Sequence, residues 1–174
     1  MKHLFSALAL MASLSLGHAQ GFISNLDPDQ DGGGARQGSG TVNITLTGTT
    51  LSLEGAYTGL SSSAAAGHIH GPAKTGSSTG VIYDLAGTGV MTKGTSGIYS
   101  GSVNLVPLGA GGSYTVAQQI TDLGNGLWYL NIHDSVFGGG EIRGQIVPVP
   151  EPSTIALAAL GLTSLLAFRT RRTA

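Results

Sequence analysis

Apolar and polar residues alternate strictly over residues 41–47 (TVNITLT), which sets Val42, Ile44 and Leu46 on one face of an extended segment. Residues 50–57 repeat the pattern after Gly48-Thr49, a two-residue connection with glycine first. The two runs therefore read as a hairpin, with Leu51, Leu53 and Gly55 turned inward. Further short strands are predicted over 66–70, stopped by Gly71-Pro72, over 81–85, and over 98–105 after a glycine-rich turn. The period changes at Thr115. Thr115 and Gln118 fit a capping box, Val116, Ile120 and Leu123 form a one-sided stripe, and Gly124 or Gly126 ends the helix. Alternation returns over 127–133 and 141–147. Trp128, Leu130 and Ile132 take one side of the first run, and Tyr129, Asn131 and His133 the other; Ile142 and Ile146 take the core side of the second, with Glu141, Arg143 and Gln145 facing out. Seven or so short strands with one helix predict an all-β fold, a sandwich or partly closed barrel.

The two ends carry apolar runs of another kind. Lys2 and His3 precede an apolar stretch over 4–16, and Gly17-His18-Ala19 supplies small residues at the −3 and −1 positions. Residues 1–19 read as a secretory signal peptide cleaved after Ala19. At the other end, 148–154 is a stiff, Pro-rich linker containing Pro150-Glu151-Pro152. An uncharged apolar run over 155–168 follows, closed by the basic tail 169–174 with Arg169, Arg171 and Arg172. As a helix that run is short for a hydrocarbon core of ~30 Å. The arginines just after it decide for a transmembrane helix, because such residues stop translocation. The β domain then occupies 20–147.

Composition supports this division. Glycine contributes 29 of 174 residues while charged residues make up only 10%, as suits short strands joined by Gly/Ser/Thr turns. Four basic residues (Arg36, Lys74, Lys93 and Arg143) face eight acidic ones between 20 and 147, so the middle is mildly acidic. It has no basic stripe to neutralise phosphates, and a nucleic-acid partner is not expected. Cysteine is absent, so disulfides cannot staple this exported domain and a packed core must hold it.

Candidate chemistry centres on the histidines. His68 and His70 lie two apart on a strand, so both imidazoles leave one face ~6.6 Å apart at the backbone. By parity His133, Glu141 and Arg143 share a sheet surface that the pair could join. Two readings stand. Glu141 and Arg143 form an exposed cross-strand ion pair and the histidines bond loop backbone, or His68, His70 and His133 hold copper or zinc with Glu141 and Arg143 in support. Asp27, Asp29 and Asp31 have the spacing of the first half of a calcium loop, but its twelfth position is Gly38, and a plain acidic turn is expected. No cysteine nucleophile and no glycine-rich loop leading into a Lys-Ser/Thr pair is present, and no enzymatic activity is expected.

Two resemblances add to this. GTVNITL (40–46), Tyr57-x-Gly59-Leu60 and HIHGPA (68–73), with LWYLNIH (127–133) and FGGGEIRGQ (137–145), are similar to a chordin-type (CHRD) domain over roughly 22–147. That family implies an immunoglobulin-like Greek-key barrel with a faint likeness to Cu/Zn superoxide dismutase. Those enzymes place a strand His-x-His and a late histidine on copper, with a late arginine nearby, and His68, His70, His133 and Arg143 match in kind and order. The histidine that bridges copper to zinc has no counterpart here, so the likeness does not imply dismutase activity. Pro150-Glu151-Pro152, an apolar run and a basic cluster resemble a PEP-CTERM sorting signal. It implies a Gram-negative bacterium, processing by an exosortase, and a cell-surface or extracellular product. The expectation is a secreted or surface-attached, non-enzymatic protein that binds a polysaccharide or protein of the extracellular matrix or biofilm; a mononuclear copper or zinc protein is the alternative.

Overall fold

The protein is described by a computed structural model over residues 19–150, 160, 161 and 163. Residues 1–18 of the expected signal peptide, Glu151, Pro152, most of the apolar run over 155–168 and the basic tail lie outside the described residues. Among the described residues no helix is long and apolar enough to cross a membrane.

Among the described residues eight antiparallel strands form one sheet: β1 (Gln20–Leu26), β2 (Ser39–Thr47), β3 (Thr50–Thr58), β4 (Ala64–His70), β5 (Val81–Asp84), β6 (Gly97–Asn104), β7 (Trp128–Asp134) and β8 (Ile142–Pro148). Their order is β5-β4-β7-β8-β1-β2-β3-β6. The sheet curls into a nearly closed barrel. The segment between β5 and β6 completes the seam, with Leu85 N donating to Gly67 O of β4 (2.8 Å), Ser100 N of β6 donating to Val90 O (2.9 Å) and Thr92 N donating to Ile98 O (3.0 Å). The helix α1 (Val116–Gly124) carries the expected capping box at Thr115 and Gln118.

The inward sets follow the alternation. Val42, Ile44, Leu46, Leu51, Leu53, Trp128, Leu130, Ile132, Ile142 and Ile146 are all buried. Gly55 is inward for a steric reason, since a Cβ there would strike the carbonyl of Thr41 on the paired strand. β1 was not anticipated. Phe22 and Leu26 point into the core, but Ser24 sits between them and breaks the apolar alternation; its hydroxyl is buried and donates to Gly144 O (2.8 Å). The strand nonetheless joins β8 to β2 in the centre of the sheet.

The outer face of β7 and β8 departs from expectation. Its parity is as predicted, but it is not solvent-facing: Tyr129, Asn131, Arg143 and Gln145 are buried. Two loops cover them. Residues 27–37 run beside β8, where Asp27 and Arg143 exchange backbone hydrogen bonds of 3.0 Å and Gln145 N donates to Gln30 Oε1 (2.9 Å). Residues 71–80 strap the same face, with Gln145 Nε2 donating to Ala73 O (3.0 Å) and Arg143 Nη2 to Ser77 O (2.8 Å). Both bonds satisfy polar groups that burial would otherwise penalise.

Candidate metal centre

β4 supplies His68 and His70, and its neighbour β7 supplies His133. The antiparallel register pairs Ala66 with His133, His68 with Asn131 and His70 with Tyr129. All three histidines therefore leave the outer face. Their rings stand 5.0 Å (His68–His133), 5.6 Å (His68–His70) and 5.8 Å (His70–His133) apart between centroids. One ligand atom from each lies within 4.8 Å of the other two.

The hydrogen bonds show which atoms face inward. His70 Nδ1 lies 2.9 Å from Thr79 O, and His133 Nδ1 lies 3.1 Å from Gly138 O. A carbonyl only accepts, so each Nδ1 carries the proton and each Nε2 keeps its lone pair. His68 is turned the other way, with Nε2 3.9 Å from Asp84 Oδ1. The remaining nitrogens, His68 Nδ1, His70 Nε2 and His133 Nε2, are buried and have no hydrogen-bond partner. Three orphaned nitrogens gathered this closely are costly without a shared guest. Backbone carbonyls that fix the far nitrogen are also the usual outer support of a metal-ligating histidine. Burial holds the pKa of His68 below its ordinary value, with His133 adding and Asp84 opposing; burial likewise lowers that of His70 against the pull of the Thr79 carbonyl. Both imidazoles thus favour the neutral form that binds metal. The donor set fits copper or zinc.

The family comparison agrees with the architecture around these residues. The CHRD domain family matches residues 22–146, and the PEP-CTERM protein-sorting motif matches residues 148–172. The chain belongs to the CHRD domain family. No curated protein and no solved structure matches it. The sorting motif implies processing by an exosortase, export across the membrane and a surface or extracellular location in a Gram-negative bacterium.

Within this CHRD domain the two supporting residues separate. Arg143 stays near the histidines, its Cζ 3.4 Å from the centroid of Tyr129, whose ring is stacked on His70 at 4.8 Å and 5°. Glu141 does not. It is fully buried away from the triad, where Oε1 accepts from Ser61 N (2.8 Å), Ser61 Oγ (2.5 Å) and Gln37 N (3.3 Å). The expected exposed Glu141–Arg143 ion pair does not form, because β8 begins at Ile142 and leaves Glu141 in the preceding bend. The adjoining serine serves Asp134, which accepts from Ser62 N (2.9 Å), Ser62 Oγ (2.7 Å) and Phe137 N (2.5 Å). Burial opposes ionisation of Asp134, yet these donors together hold its pKa below the ordinary carboxylate value. The Asp27–Asp31 stretch is an acidic turn: both oxygens of Asp27 accept from Gln30, at 2.9 Å from N and 2.6 Å from Nε2.

Sequence reasoning missed Tyr129, Thr79 and Gly138 as parts of the centre. Tyr129 had the right parity on β7 but reads as an ordinary strand aromatic. Thr79 and Gly138 act through main-chain oxygens, which no residue type announces.

Proposed function

We propose that this CHRD domain is an exported, surface-sorted, non-enzymatic metal-binding module that holds one copper ion through His68 Nδ1, His70 Nε2 and His133 Nε2. The observation that carries the reading is the convergence of three buried, unpartnered imidazole nitrogens whose opposite nitrogens are, for His70 and His133, fixed by backbone carbonyls. Copper is favoured over zinc because affinity of nitrogen sites for divalent ions peaks at copper, and imidazole suits it. Copper bound there would supply one-electron redox chemistry. The chain's own part is to hold neutral imidazoles apart at ligand spacing and to shield them with the 71–80 strap. Signal peptidase cleaves after Ala19, the run over 155–168 anchors the chain in the membrane, and an exosortase acts near Pro150-Glu151-Pro152.

The test is elemental analysis of the secreted domain after dialysis against equal copper and zinc. About one copper per chain is expected, with His70→Ala losing at least tenfold in affinity; a metal-free wild-type protein under the same conditions overturns the reading.

A second observation supports a matrix role for the opposite wall. The outer faces of β2, β3 and β6 present Asn43, Thr45, Ser52, Ser100 and Ser102 to solvent with Glu54 as the one charge among them, a broad hydroxyl and amide surface. Such a surface suits a neutral polysaccharide. Co-sedimentation with exopolysaccharide of the producing cells, weakened by Thr45→Arg, is the expected result, and no co-sedimentation removes this role.

A further inference from the structure

We infer that Arg143 and Tyr129 are positioning residues that form a layered stack with His70 and raise the reduction potential of copper held by the three histidines. The inference rests on the metal-binding reading above.

The stack is built by strand order. β7 lies between β4 and β8, so His70 meets Tyr129 from one flank and Arg143 meets it from the other. The His70 and Tyr129 rings are nearly parallel, 5° apart at 4.8 Å, and the guanidinium carbon sits 3.4 Å from the tyrosine centroid. Every layer is tied to the 71–80 strap. Arg143 Nη2 donates to Ser77 O (2.8 Å), Thr79 N donates to the Tyr129 hydroxyl (3.1 Å), and Thr79 O accepts from His70 Nδ1 (2.9 Å). One ten-residue loop thus fixes the cation, the spacer ring and the ligand together.

Two features make the charge effective. Arg143 is only 3% exposed, and among the described residues no carboxylate forms an ion pair with it. A guanidinium does not deprotonate in proteins, so the charge is permanent. The tyrosine ring between it and His70 keeps water out and limits screening. A fixed cation beside a redox centre favours the state of lower positive charge, here Cu(I) over Cu(II). A unit charge roughly 10 Å away in partly buried surroundings shifts that ratio about tenfold, equivalent to ~59 mV for one electron.

The experiment is a potentiometric titration of the copper-loaded secreted domain, with copper content and near-UV circular dichroism measured on each sample. Arg143→Gln keeps a donor for Ser77 O but removes the charge; Arg143→Lys keeps the charge. Arg143→Gln is expected to bind copper at the wild-type stoichiometry with the Cu(I)/Cu(II) ratio at fixed potential lowered about tenfold, and Arg143→Lys to stay within about twofold of wild type. If Arg143→Gln does not fold, Arg143→Met, whose neutral side chain can still lie on the Tyr129 ring, carries the same expectation. Equal ratios in all variants, or an equal fall in both Gln and Lys, overturns the inference while the metal reading stands. A wild-type domain that takes up no copper overturns both.

Discussion

At the scale of single residues, the covered outer face stores a cost that can be read by titration. Asp31 Oδ2 and Asn131 Oδ1 are both buried acceptors without partners, and both crowd the position where Gly140 lacks a Cβ. Burial raises the pKa of Asp31 from 3.8, although Arg36, His133 and Arg143 pull it back. An acid whose folded value is raised binds its proton more tightly in the native state. Its contribution to stability is therefore complete below the unfolded value and is lost as pH climbs through the folded one. Asp31→Asn removes that dependence and places an amide donor beside Asn131. Urea denaturation should show the variant gaining on wild type as pH rises above the ordinary value of 3.8, and no relative gain would mean that Asp31 is solvated in the native state. The same scale shows how far parity carries. It put His68 and His70 on one face of their strand and His133 with the polar set of its own, because alternation depends only on the pleat; the β4–β7 register then brings them together. It misjudged Glu141, which lies one residue outside the regular strand, and it could not foresee Thr79 and Gly138.

At the scale of elements, the strands with unbroken alternation were legible almost to their ends, and β1 was not. Its middle inward position is Ser24, a polar residue satisfied by a carbonyl of β8 that lies 120 positions later in the chain. No local pattern reports a partner at that distance. The helix was legible because its signals are local: Thr115 Oγ1 accepts from Gln118 N (3.3 Å), and Gln118 Oε1 accepts from Thr115 N (2.9 Å). Beneath that cap α1 buries Leu123 and Gln119, and Gln119 Nε2 donates to Val106 O (2.7 Å) and Tyr114 O (3.0 Å). Thr115→Ala is expected to lower the unfolding free energy by about 1 kcal/mol in denaturant titration. An unchanged midpoint would show that Gln119 and Leu123 alone hold the helix in place.

At the scale of the whole molecule, the alternation predicted a β-barrel core with appended addresses, and the curled eight-stranded sheet agrees. What the pattern could not supply was the outer layer. The loops over 27–37 and 71–80 are polar and glycine-rich, and their composition reads as solvent-facing turns. They are instead a lid on the β7–β8 wall, where Arg143 Nη2 and Gln145 Nε2 donate to carbonyls of the 71–80 loop and Gln145 N donates to Gln30 of the 27–37 loop.

The barrel seam has one more implication. A protein displayed outside the cell with so few charged residues has little electrostatic repulsion to keep its copies apart. Sheets with free borders invite neighbours to extend the ladder and aggregate. Here one border strand, β5, is four residues long, and the other, β6, already bonds the 90–92 segment. The topology thereby leaves little free border for a neighbouring copy to extend, whatever the charge of the chain.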